Sequence, residues 1–182
     1  MATSNFGSTI FSHLYTVDVD DRDDYDFARD NIAGALAALP GGYEDHTNGE
    51  QIAHIYYEDV VFCGVPYEIR LDVYLRPGYY SGAWLDGRFY IDGEECNIYE
   101  LTKSDFADML ANGLIDCDMC YAFATHGRMQ GFCMMQAGNL ARHMAAAYTR
   151  LLDRVESAVS PYTEQLRCIG PFSNGASIYE RI

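Results

Sequence analysis

The chain has 182 residues, 49% of them hydrophobic, and its 27 acidic and 12 basic side chains give a formal net charge of −15. That is enough apolar material to bury a core without disulfides or structural metals. No apolar run reaches the roughly 20 residues of a membrane-spanning helix, and direct binding to phosphate backbones, which recruit Lys and Arg, is not expected of so acidic a chain.

The charge is unevenly placed. Residues 1–60 hold 12 acidic and 2 basic side chains, residues 61–110 hold 9 and 4, and residues 111–182 hold 6 of each. The whole excess thus falls in the first 110 residues, and it predicts a basic partner. Met1 to Phe11 shows no basic region followed by an apolar stretch, so no signal peptide and a cytoplasmic address are expected. Six cysteines in such a chain are expected to be reduced rather than paired.

In chain order, Ser8 to Val19 predicts a strand, with Ile10, Tyr15, Val17 and Val19 among β-favouring neighbours. An aspartate-rich run follows and leads into a helix at about 23–39. Its apolar positions Tyr25, Ala28, Ile32, Ala35, Leu36 and Leu39 recur at spacings of three and four, and Pro40-Gly41-Gly42 stops it. Residues 43–50 read as a polar loop, and Gln51 to Cys63 as a strand. Gly64-Val65-Pro66 predicts a turn. Tyr67 to Arg76 alternates almost perfectly, with Tyr67, Ile69, Leu71, Val73 and Leu75 on one face and Glu68, Arg70, Asp72 and Arg76 on the other.

Pro77 to Gly82 predicts a loop. Asp86-Gly87 and Asp92-Gly93 are both hairpin signals, so residues 83–99 should hold one or two short strands of an antiparallel meander. Beyond it, Thr102 or Ser104 caps a helix to about Ala111, and a longer helix covers about 130–159 until Pro161. Residues 162–182 remain unassigned. The expected fold is α+β: a single domain over residues 1–182, with an antiparallel β-meander packed against helices. Residues 1–100 form its acidic portion and residues 101–182 a mainly helical one.

Three motifs bear on chemistry. Cys117-Asp-Met-Cys120 has the spacing of half a zinc site or a redox pair. No second pair accompanies it, and neither His126 nor Cys133 completes a common zinc module, so structural thiols are the expected reading, with a zinc-dependent enzyme or zinc-stabilised domain as the alternative. The run Asp18 to Asp26 resembles a calcium loop only in its acidity. Counting from Asp18 places Arg22, Asp23 and Arg29 where an EF-hand needs an acid, a glycine and a glutamate. The chain contains no GxSxG, P-loop or GxGxxG motif, and its five histidines have no metal-binding spacing. No catalytic residue, cofactor or metal is expected.

Asp18, Asp20, Asp21, Asp23, Asp24, Asp26 and Asp30 are the candidate partner-binding residues. One or two carboxylates at a helix N-terminus are accounted for by the helix dipole. Seven aspartates in thirteen residues exceed that, and their mutual repulsion is unfavourable unless a partner uses it.

Small size, acidity concentrated in residues 1–110 and the missing catalytic motifs together resemble phage-encoded inhibitors of bacterial defence. The segment Tyr67 to Asp86, with its strand followed by Gly78-Tyr79-Tyr80, is similar to one found in small proteins of phages and mobile elements. The chain is most similar in character to type II, Cas9-directed anti-CRISPR proteins. That resemblance implies a non-enzymatic DNA mimic acting in the cytoplasm of a bacterial host cell. Its partner would be the basic groove of the Cas9–guide RNA complex, and the outcome would be a block of DNA binding or cleavage. An anti-restriction or other acidic phage protein with a basic protein partner is the alternative within the same class.

Overall fold

The structure, a computed structural model, describes residues 11, 13–45, 49–62, 65–78, 82–96, 134–171 and 177–182. It is α+β, as the sequence predicts. The elements are β1 (Leu14–Val17), α1 (Arg22–Ala37), β2 (Gly42–Glu44), β3 (Gln51–Phe62), β4 (Val65–Pro77), β5 (Ala83–Ile91), β6 (Glu94–Cys96) and α2 (Met134–Val159). A short 3-10 turn (Ser160–Tyr162) then leads into β7 (Glu164–Pro171) and β8 (Ser177–Arg181). The hydrogen-bonded strand order is β2-β3-β4-β5-β1-β7-β8, with β6 on β5.

β4 carries the alternation the sequence announces. Tyr67, Ile69, Leu71, Val73 and Leu75 are all buried, and each full burial of a large apolar side chain contributes about 1.5–3 kcal/mol. The opposite face departs from the simple pattern. Asp72 was expected among solvent-facing residues, but it is only 4% exposed, because a histidine of β3 reaches across to it.

The two Asp-Gly pairs take different roles. Asp92 and Gly93, with φ of 50° and 83°, form the tight turn from β5 to β6, which is the backbone geometry a two-residue hairpin needs. Asp86-Gly87 instead lies inside β5, where Asp86 accepts from Arg76 Nε at 3.0 Å and from its neighbour's N–H, Gly87, at 2.8 Å. The unassigned tail forms β7 and β8, paired antiparallel with a bulge between Cys168 and Gly170. Exposed ion pairs Arg167–Glu180 and Arg181–Glu164 lie along that pairing.

The chain divides into two compact units. The first comprises residues 1–56, 71–88 and 152–182, and the second residues 57–70 and 89–151. In the first, β1 lies between β5 and β7, with Thr16 opposite Trp84 and Leu14 opposite Leu166. Its buried core includes Leu14, Tyr15, Ile32, Leu36, Ile55, Leu71, Leu85, Val155 and Val159. In the second, Phe89 meets Tyr148 of α2 edge-to-face with ring centroids 4.6 Å apart, and Ile69, Met144 and Leu151 are fully buried. The sequence-predicted helix at 104–111 and the Pro77–Gly82 loop tip lie outside the described residues, as does the Cys117/Cys120 pair.

Candidate functional site: the acidic face of the first helix

The site begins where β1 ends. The strand covers only four residues, so Asp18 to Asp20 leave it as extended chain rather than as a continuation of the sheet. Alternation persists all the same: Val19 is 8% exposed and its carbonyl accepts from Gly82 N–H at 2.9 Å, while Asp18 and Asp20 on either side are exposed. One buried anchor thus sets two carboxylates outward.

Asp21 starts α1. With φ −139° and ψ −175° it is an extended N-cap, and its Oδ1 accepts from Asp24 N–H at 2.9 Å. Asp24 answers by accepting from Asp20 N–H at 3.4 Å. The exchange resembles a capping box displaced by one residue, and it satisfies backbone donors that a helix start leaves open. Asp23 and Asp24 also stand in the first turn, where the helix dipole favours negative charge.

Farther along α1, Arg29 bridges two of the remaining acids. It lies 2.9 Å from Asp26 and 3.1 Å from Asp30, and Arg22 reaches Asp26 at 4.0 Å. Both arginines of this segment are therefore engaged. Of the seven candidate aspartates, Asp21 and Asp24 serve the cap and Asp26 and Asp30 serve Arg29. Among the described residues, the carboxylates of Asp18, Asp20 and Asp23 have no ion pair and accept no hydrogen bond.

Phe27 joins them on the outer surface. It is 74% exposed, more than any other large hydrophobic side chain described, while Ile32, Ala33 and Leu36 take the buried side of the helix. Asn31 donates to the Phe27 carbonyl at 3.0 Å and so occupies a backbone group within the helix. Sequence reasoning passed over Phe27. Its only signal is that it falls between the apolar stripe positions Tyr25 and Ala28 without continuing their spacing.

The helix is fixed at both ends. Tyr25 donates its hydroxyl hydrogen to the Leu75 carbonyl at 2.5 Å. Burial raises its hydroxyl pKa, as does the Glu50 carboxylate, against an opposing contribution from Arg29. At the other end, Gly41 has φ +73°, and a Cβ placed there would lie 2.2 Å from the Tyr56 carbonyl oxygen. Only glycine permits the chain to turn this close to β3.

A second constellation was not read from the sequence at all. His54 on β3 faces Asp72 through Nδ1 and Asp45, just beyond β2, through Nε2. The His54 side chain is 11% exposed, Asp72 5% and Asp45 23%. The Gln51 amide lies 2.9 and 3.1 Å from the two ring nitrogens, and the Tyr43 ring centroid is 4.9 Å from that of His54. The three residues are too far apart in sequence to form a recognisable motif. Among the described residues no group of His, Cys, Asp or Glu is arranged to hold a metal ion, and none of their helices is long and apolar enough to cross a membrane.

Comparison with protein-family models, with curated proteins and with solved structures found no match.

Proposed function

We propose that this chain is a non-enzymatic binding protein whose acidic face docks into a basic groove of a nucleic-acid-handling protein and keeps DNA out of it. The observation that supports this most directly is the set of three aspartates without an internal partner, Asp18, Asp20 and Asp23, beside the exposed Phe27. Asp18 and Asp20 neither cap the helix nor pair with an arginine, and the fold draws on Asp23 only through its favourable place at the helix N-terminus. Three exposed negative charges within residues 18–23 have the sign that a DNA-binding groove is built to meet, since duplex DNA carries one negative charge per roughly 1.7 Å of axis. An exposed aromatic ring beside them adds the kind of residue that anchors protein interfaces.

The resemblance to Cas9-directed inhibitors makes the Cas9–guide RNA complex the proposed partner. Its positively charged channel and its motif-reading arginines are targets of matching sign. Occlusion needs no turnover, which suits a chain without a catalytic signature.

The test is plasmid cleavage by Cas9 with guide RNA, with this protein added either before or after the target DNA. Inhibition only on prior addition is the expected result for a competitor of DNA binding. Inhibition in either order indicates a block at cleavage. Full cleavage in both orders, at protein in large excess and at low salt, rejects this partner.

A further inference from the structure

We propose that His54 is held as an imidazolium between Asp45 and Asp72, forming a proton-operated clasp that fastens the edge strand β2 to the sheet. The argument is one of donor stoichiometry. A neutral imidazole carries one N–H and one lone pair, whereas an imidazolium carries two N–H donors. Here each ring nitrogen faces a carboxylate oxygen, Nδ1 that of Asp72 and Nε2 that of Asp45. A neutral ring satisfies one of them and turns a lone pair toward the other.

The surroundings strengthen that preference. His54 and Asp72 are almost fully removed from water, so an unmade bond there is not recovered by solvent. The Tyr43 ring lies within the range at which an aromatic face attracts a cation. The oxygen and nitrogen ends of the Gln51 amide are interchangeable by a half-turn of the side chain. With its oxygen toward the ring, Gln51 places a partial negative charge beside the imidazolium without competing for its two N–H groups. The groups facing His54 are therefore two carboxylates from two different segments, the Gln51 amide, and the rings of Tyr43 and Tyr56.

The two limbs are not equivalent. Asp72 is buried within the thirteen-residue strand β4, while Asp45 is more exposed and follows the three-residue strand β2. When the ring gives up its second proton, the Asp45 limb is the one that opens. β2 pairs through Gly42, Tyr43 and Glu44, opposite Ile55, His54 and Ala53, and its ends are held by Asp45 N–H to the Ile52 carbonyl at 3.1 Å and Tyr56 N–H to the Gly41 carbonyl at 2.9 Å. Protonation thus controls how firmly this edge of the sheet is closed, with the clasp shut at low pH and slack at high pH.

The test uses the full chain labelled with nitrogen-15. At about pH 6, near the ordinary imidazole range, the His54 ring should show both nitrogens protonated, with its signals assigned by their loss in His54→Gln. Amide protection at residues 42–45, corrected for intrinsic exchange, should fall at least about tenfold across the pH interval in which the nitrogen-15 signals show the ring losing one of its protons. In Asp45→Asn the amide donates to the lone pair of a neutral ring, so protection should become independent of pH. A single protonated ring nitrogen in the wild type at about pH 6 overturns the proposal. So does wild-type protection that does not change with pH, or an Asp45→Asn variant that follows the wild-type profile. The wild-type measurements decide the matter even if a variant fails to fold.

Discussion

The hydroxyl of Tyr25, in the first turns of α1, donates to the backbone carbonyl of Leu75 near the end of β4 at 2.5 Å. A helix whose outer face is crowded with carboxylates is thereby tied to the strand with the most deeply buried face. The bond belongs to stability rather than to recognition, and the two roles separate experimentally. Tyr25→Phe keeps the ring and removes the donor, and should cost about 0.5–1.5 kcal/mol in denaturant unfolding. Partner association should be unchanged. A variant as stable as wild type shows that water replaces the tyrosine at that carbonyl.

The aspartates divide into a working set and a free set. Changing Asp18, Asp20 and Asp23 together to Asn should leave the melting temperature within about a degree or two, since no internal pair is lost. It should slow association with the partner, with the larger effect at low salt, because exposed charges are screened within about 8 Å at physiological ionic strength. Changing Asp26 and Asp30 to Asn releases Arg29 and serves as the comparison in which charge is removed from the paired set. Equal association rates for the triple variant and wild type at two salt concentrations remove the acidic face from recognition.

Glycine positions offer a contrast in mechanism. Gly93 has φ +83° with open space around its Cβ position, so Gly93→Ala should cost only the backbone penalty of about 1–2 kcal/mol. Gly41 has a similar φ, but a Cβ there meets the Tyr56 carbonyl. Gly41→Ala should therefore be clearly more destabilising than Gly93→Ala in the same urea titration. Equal costs show that the approach of α1's exit to β3 relaxes freely.

Tyr15 predicts the alkaline limit. It is 2% exposed, and burial raises its hydroxyl pKa well above the ordinary value of 10.0, helped by Glu156, to which it hydrogen-bonds, and by Asp153. The folded protein thus favours the neutral form. Its contribution is complete below pH 10 and is lost as pH rises from there toward the folded value. Tyr15→Phe should flatten the loss of stability above pH 10 relative to wild type, measured as the unfolding midpoint against pH. Parallel profiles mean another group governs that limb.

Leu71 tests the core. Leu71→Ala should cost about 2–5 kcal/mol, and Leu71→Asp, which places a charge on a fully buried face, should unfold the domain. A soluble Leu71→Asp protein with an unchanged melting temperature contradicts the burial of this face.

What the sequence disclosed follows from what local periodicity can carry. β4 was legible because apolar side chains alternate along it, and α1 because its acids, stripe and Pro-Gly-Gly stop agree with one another. Asp72 is on the face its place in the alternation predicts, but its burial was not legible, because alternation tells which side of a strand a residue occupies, not what is brought over that side. The partner, His54, lies eighteen residues away. Asp86-Gly87 was read as a turn signal because the dipeptide alone does not reveal that Arg76 holds Asp86 within a strand. The acidic site was visible as a count. Which aspartates are free was not, because it depends on Arg29 choosing Asp26 and Asp30 and on Asp21 and Asp24 closing the cap.

The pairing of β1 with β7 sets an order of events in the making of the protein. Leu14 lies opposite Leu166 and Thr16 opposite Glu164, so a strand synthesised early waits for one synthesised much later. Until residues 164–171 have left the ribosome, one side of β1 has no β7 to close it, and the sheet is open next to the segment that bears Asp18 and Asp20. A nascent chain arrested before β7 should accordingly be far more sensitive to protease than one that extends beyond it.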